Sequence, residues 1–171
     1  MNLKKNIVLS GMMGSGKTTI GAILSKKLKL DFIDIDKKIE INENKKITEI
    51  FKVKGETYFR KLETGISISY LKKDNQVTSL GGGGFLNESI RKECKKKSIS
   101  FWLNWNKQTL IRRILKNSKR PVLFDLNEGQ IEKLINDRNN FYSKSDYEIT
   151  CENHKKNEIV DKIISILKNE N

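Results

Sequence analysis

The sequence predicts an α/β protein, a single three-layer domain with a five-stranded parallel sheet flanked by helices. Two patterns predict it. Short apolar runs alternate with longer stretches whose apolar residues recur at helical spacing, the order that builds βαβ units. Glycines and carboxylates fall just after several of these runs, where open parallel sheets bind their ligands.

The elements follow in order. Asn6-Ile7-Val8-Leu9-Ser10, ending at Gly11, suits a buried strand. Residues 17–28 read as a helix with Ile20, Ile23, Leu24 and Leu28 on one face. Phe32-Ile33-Asp34-Ile35-Asp36 reads as a second strand. Residues 37–73 read as mostly helical, through Ile39, Ile47, Ile50, Phe51, Phe59, Leu62 and Ile66, with a break near Gly55. Gln76-Val77-Thr78-Ser79-Leu80 is a third strand and runs into Gly81-Gly82-Gly83-Gly84. A helix near 87–97, a fourth strand over Ser98–Leu103 and a helix over 106–116 come next. The polar-flanked segment 116–126, around Pro121, reads as a loop. Residues 128–142 are helical, Tyr147-Glu148-Ile149-Thr150 is a fifth strand, and a last amphipathic helix carries Ile159, Val160, Ile163, Ile164 and Leu167.

Composition narrows the function classes. A chain of 171 residues with 36% hydrophobic residues can bury one proper core. No stretch approaches the roughly 20 apolar residues needed to span a membrane. The apolar run after Lys4 and Lys5 is too short for a signal peptide. Cys94 and Cys151 are far apart, with no metal-like spacing, so neither a disulfide framework nor a zinc site is expected. The expectation is a cytoplasmic protein without a membrane partner. The formal charge of +13 invites a polyanion reading, but it divides into 28 lysines scattered along the chain and 6 arginines. The lysines go with a chain also rich in Asn and Ile, a compositional drift, so nucleic acid is not the expected partner.

The strongest motif is Gly11-Met12-Met13-Gly14-Ser15-Gly16-Lys17-Thr18, which matches G-x-x-x-x-G-K-[ST] between a predicted strand and a predicted helix. Glycines let the backbone wrap a phosphate with its N–H groups inward, and the helix N-terminus adds positive potential. Gly14, Ser15, Gly16, Lys17, Thr18 and Thr19 are therefore the expected nucleotide-phosphate-binding residues, in a loop that ATPases, GTPases, nucleotide kinases and small-molecule kinases share. Lys17 sets a point charge near the β- and γ-phosphates, and Thr18 offers a hydroxyl to Mg²⁺. Neither Asn44-Lys45 nor Asn106-Lys107 has the Asp two residues on that a guanine-reading N-K-x-D motif requires.

Asp34 and Asp36 are spaced to share one face of an ideal strand and so to face the phosphate loop together. One can support Mg²⁺ through its water shell, while the other binds an acceptor hydroxyl and takes its proton. A compatible reading makes Asp36 the N-cap of a helix starting at Lys37. The glycine run 81–84 is either a flexible loop or a place where the backbone closely approaches a ligand, and its position at a strand end favours the second. Arg60 and Arg138 stand out in a chain that otherwise uses lysine, because a planar guanidinium pairs bidentately with a carboxylate and lysine does not. Arg113 and Arg120 flank the 116–126 loop, as expected of a lid that closes on ATP. Arg91 and Arg112 read as surface.

Together these features resemble shikimate kinase over most of the chain. The family's phosphate loop is matched by Gly11–Thr19 and its D-x-D by Asp34-Ile35-Asp36. Its I-x-E-I-F stretch is matched by Ile47–Phe51 and its G-E-x-x-F-R-x-x-E by Gly55–Glu63. Its glycine triplet is matched by Gly81-Gly82-Gly83, its lid R-P-L-L by Arg120-Pro121-Val122-Leu123, and its R-x-x-x-Y by Arg138–Tyr142. The resemblance implies phosphoryl transfer from ATP to the 3-hydroxyl of shikimate, in the chorismate route to aromatic amino acids. It implies a nucleoside monophosphate kinase-like fold over 1–171, with the phosphate loop at 11–19, an acceptor-binding segment at about 34–63 and a lid at about 113–126. It implies that Lys17, Asp36 and Arg120 are catalytic, that Thr18 and Asp34 hold Mg²⁺, and that Arg113 and Arg120 meet ATP. Asp36, Arg60, Gly82, Gly83 and Arg138 are implied to bind shikimate, in an enzyme expected to be a monomer. Gly84 and Val122 depart from the family's pattern, and Ser145-Asp146 stands, with slippage, where Ala-Asp is usual. No adenine-contacting residue is singled out around Glu152–Lys156. The alternatives are another small-molecule kinase of this fold, such as a gluconate kinase, and a basic nucleotide-binding protein without enzyme activity.

Overall fold

The structure, a computed structural model, describes residues 5–116 and 126–170. Five parallel strands form one sheet in the order β2-β3-β1-β4-β5. They are β1 (Asn6–Ser10), β2 (Asp31–Asp34), β3 (Gln76–Ser79), β4 (Ser98–Asn104) and β5 (Tyr147–Thr150). The helices are α1 (Lys17–Leu28), α2 (Ile35–Glu43), α3 (Ile47–Leu71), α4 (Glu88–Lys97), α5 (Lys107–Leu115), α6 (Glu128–Tyr142) and α7 (Lys156–Asn169).

Two hydrophobic clusters form because side chains alternate across each strand. Ile7 and Leu9 of β1 join Ile99, Phe101 and Leu103 of β4 under α1 and α7, where Ile20, Leu24, Ile159, Val160, Ile163 and Leu167 pack. Val8 and Trp102 face the other way, into a cluster built by α2 to α6 from Ile39, Ile50, Phe59, Ile90, Ile114, Ile135 and Tyr142. Three layers result. Because every strand runs the same way, the loops after β1 to β5 all open at one edge of the sheet.

The expectations hold for the alternation and differ in three details. The second strand ends at Asp34, not Asp36, because Asp34 caps α2: its Oδ1 accepts from the Lys37 amide at 3.2 Å. Asp36 therefore lies in the first turn of α2, neither on a strand nor at the N-cap. The long helical stretch divides into α2 and α3, and α3 is itself kinked at Gly55 (φ 77°, ψ 173°), the expected break. Arg91 is more than surface: its Nη1 donates to the Phe85 carbonyl at 2.7 Å and its guanidinium lies over the Phe141 ring. Arg120 and the Arg120–Leu123 stretch, with most of the expected lid, lie outside the described residues.

Candidate active site

β1 delivers the chain into the phosphate loop. Gly14 (φ 80°) and Gly16 (φ 89°) adopt a backbone that side chains resist, which lets the loop curl. Gly16 stands at the N-cap of α1 with no capping side chain, so the first turn presents its amides to a ligand. Lys17 is 8% exposed, and its Nζ donates to the carbonyls of Gly11 (2.7 Å) and Met12 (3.0 Å). The Ser15 hydroxyl is buried without a hydrogen-bond partner among the described residues, a polar group that a bound anion could satisfy. Thr18 Oγ1 donates to Asp34 Oδ2 at 2.6 Å and joins the start of α1 to the end of β2. These two hard oxygen donors suit a Mg²⁺ ion that keeps part of its water shell.

A second cluster forms around the glycine run after β3. Backbone and side chains approach so closely there that a β-carbon could not be added. At Gly81 it would lie 2.4 Å from Glu63 Oε1 and 2.7 Å from Asp36 Oδ1; at Gly83, 2.2 Å from Arg60 Nη1. The flexible-loop reading of this run therefore gives way to the close-approach reading, although the approaching groups here are the protein's own. Gly82 borders the phosphate loop, its β-carbon position 3.3 Å from the Met13 amide nitrogen and 3.6 Å from Arg138 Nη1. The Gly82 carbonyl accepts from the Tyr142 hydroxyl and, at 3.5 Å, from Arg138 Nη1. Asp36, Arg60, Gly82, Gly83 and Arg138, taken from four separate stretches of sequence, thus come together beside the phosphate loop.

Glu63, which the sequence marks only as the last residue of the Gly55–Glu63 motif, also belongs to this cluster. Its carboxylate is 3% exposed and accepts from Arg60 Nη1 at 2.7 Å. Burial pushes the Glu63 carboxyl above its ordinary range; Arg60 pulls it back and Asp36 pushes it further up. Arg60 is also gripped by Glu56 through Nε (3.1 Å) and Nη2 (3.0 Å). Arg138 is 5% exposed, and its Nε is buried without a partner among the described residues. A buried cation with an unused N–H suits an anionic ligand group. The pattern that could have marked Glu63 is its spacing: a carboxylate three residues after Arg60 on a helix lies on the same face.

The third part is a cleft of ≈570 Å³ beside the phosphate loop, lined in part by Gly14, Thr19, Trp105, Arg113, His154 and Lys155. Arg113 lines it, with Nη1 donating to the Gly14 carbonyl at 3.3 Å and its guanidinium 3.7 Å from the Trp105 ring centroid. Trp105 was missed too, although it directly follows β4 and the strand-end rule that marked the glycines applies to it equally. Among the described residues no group of three or more His, Cys, Asp or Glu could hold a metal unaided, and no helix is long and apolar enough to cross a membrane.

The comparisons with known proteins agree with this geometry. The family model for shikimate kinase matches residues 13–168. The shikimate kinase of Bacillus subtilis (strain 168) is 40% identical over 96% of this chain and 90% of its own. The solved structure of shikimate kinase from Acinetobacter baumannii in complex with shikimate superposes with a TM-score of 0.91, at 28% identity, over 97% of this chain and 94% of its own. A gluconokinase from Sinorhizobium meliloti shares the fold alone, at a TM-score of 0.62 and 14% identity, over 99% of this chain and 94% of its own. The motifs read from the sequence thus meet an independent match along nearly the whole chain, which belongs to the shikimate kinase family.

Proposed function

We propose that this chain transfers the γ-phosphoryl group of ATP to the 3-hydroxyl of shikimate, giving shikimate 3-phosphate and ADP. The observation that carries the reading is the convergence of Arg60, Arg138 and Asp36 on the glycine run, next to the phosphate loop. That cluster offers cations for a carboxylate and a carboxylate for a hydroxyl. A gluconate-type acceptor needs similar chemistry, but the family match favours shikimate.

Each side chain then has a task. Arg60 and Arg138 bind the shikimate carboxylate, with Glu63 holding Arg60 in place. The Gly82 and Gly83 backbone borders the acceptor. Asp36 orients the acceptor hydroxyl and accepts its proton as the new O–P bond forms, while the bond from the γ-phosphorus to the bridging oxygen breaks and ADP leaves. Lys17, which now holds two loop carbonyls, exchanges them for phosphate oxygens, and amides of Gly14–Thr19 cradle the phosphates. Thr18 and Asp34 would hold Mg²⁺, which neutralises charge on the β- and γ-phosphates when bound. Arg113 and Arg120 meet the nucleotide from the lid side. The protein acts as a monomer in the cytoplasm, with a small-molecule acceptor and no nucleic-acid partner.

The test is product chemistry. Incubated with ATP, Mg²⁺ and shikimate, the chain should generate a new phosphomonoester signal in ³¹P NMR, equimolar with ADP. ADP formation without that signal would contradict the assignment.

A further inference from the structure

The turn between β4 and α5 carries an aromatic residue whose contacts the reaction described above does not use. Trp105 Nε1 donates to the Ser15 carbonyl at 2.8 Å. Its ring carries the Arg113 guanidinium at 3.7 Å from the centroid. Arg113 in turn donates to the carbonyl of Gly14, the neighbouring loop residue. Tryptophan, arginine and the Gly14-Ser15 stretch thus form a closed triangle on one wall of the nucleotide-side cleft.

The base of this triangle is anchored independently. Glu152, on the loop after β5, accepts from the Asn106 amide at 3.2 Å and from Thr109 Oγ1 at 2.9 Å. Asn106 Oδ1 caps α5 by accepting from the Gln108 amide at 3.1 Å. The Cys151 amide donates to the Asn104 carbonyl at 2.8 Å. The turn holding Trp105 is therefore fixed on both sides, and the ring serves as a rigid support rather than a mobile cover.

We infer that Trp105 is a positioning residue for nucleotide binding: it holds Arg113 and the Gly14-Ser15 segment of the phosphate loop in the arrangement that receives the nucleotide. Two separable contacts carry the effect. The indole N–H fixes a loop carbonyl, keeping the adjoining amides turned inward. The π-face holds a cation that would otherwise sample many rotamers at the start of the lid segment. Neither contact reaches the acceptor cluster around Gly81–Gly83, so the effect belongs to the nucleotide alone. The inference rests on the nucleotide half of the proposed function and is independent of the identity of the acceptor.

Two variants separate the contacts. Trp105→Phe keeps an aromatic face and loses the N–H; Trp105→Leu keeps apolar bulk and loses both. ADP binding to the full chain is measured by calorimetry without shikimate, and KM for shikimate is measured at saturating ATP. The expected ADP Kd rises about threefold for Trp105→Phe and about tenfold for Trp105→Leu, with the shikimate KM unchanged. Arg113→Ala should lose most of its own effect when combined with Trp105→Leu, because the stack is then already broken. ADP affinities within twofold of wild type in both variants would overturn the inference. So would parallel weakening of ADP and shikimate with a lowered melting temperature, the mark of a merely structural tryptophan. If the chain fails to phosphorylate shikimate while the ADP series behaves as expected, the role of Trp105 stands and the acceptor assignment falls.

Discussion

Asp36 approaches Gly81 and Arg60 approaches Gly83 of the same glycine run, and the tasks proposed for them differ, so their variants should separate accordingly. Asp36→Asn keeps the size of the side chain and removes the proton acceptor, so kcat should drop about 10²-fold or more while ADP affinity stays within a factor of two or three. A variant retaining most of its kcat would remove Asp36 from the chemistry. Arg60→Lys keeps the charge and loses the planar fork, so it should raise the shikimate KM by about tenfold or more with a smaller effect on kcat. An unchanged KM would take Arg60 out of the carboxylate site. Glu63 makes a pH prediction. Its carboxyl is pushed up in the folded state by burial, so between its ordinary value of 4.5 and the raised one the folded protein binds more protons than the unfolded one. Its contribution to stability is therefore fully present below pH 4.5 and is lost as pH rises through that window. Urea unfolding of wild type against Glu63→Gln across this range should show the wild type losing ground as pH rises; a constant difference would contradict it.

At the scale of elements, the kink in α3 separates Ile47–Lys54 from the turn that carries Arg60. Gly55 adopts φ 77° and ψ 173°, with open space where a β-carbon would be, so the demand on this position is conformational rather than steric. Gly55→Ala should cost about 1–3 kcal/mol in chemical unfolding; an unchanged midpoint would mean that α3 can straighten without loss. The kink is bridged by Glu43, Lys54 and Tyr58, with Lys54 Nζ donating to Glu43 Oε2 at 2.7 Å and to the Tyr58 hydroxyl at 3.0 Å. Much of this level was legible in the sequence. The break at Gly55, the phosphate loop and the strand alternation follow from local chemistry. The end of β2 did not, because an aspartate after an apolar run suits either a strand end or a helix cap, and only the Lys37 amide decides between them. Trp105 escaped for a related reason: its partners lie 90 residues away at Ser15 and eight away at Arg113, separations that periodicity does not register.

Across the whole molecule, the loops at one edge of the parallel sheet bring the cleft lined by Trp105 and Arg113 and the cluster around Gly81–Gly83 to the phosphate loop, the two parts proposed to take the nucleotide and the acceptor. The charge of +13 takes a lesser place in this picture: the lysines are scattered along the chain, and local pairs such as Lys27–Asp161, Lys54–Glu43, Lys92–Glu88 and Lys107–Glu132 are already counted in the net figure. The two cysteines belong to the core. Burial pushes the Cys94 and Cys151 thiols up to about 12, so neither should react with a thiol reagent at neutral pH until the chain unfolds; rapid labelling of the native protein would contradict their burial. The edge formed by these loops is proposed to accept shikimate and not merely an anion. Coupled measurement of ADP release with a panel of acceptors tests it most directly. Turnover with shikimate should exceed by orders of magnitude that with gluconate, with nucleoside monophosphates or with ATP alone, whereas equal rates across the panel would contradict the assignment.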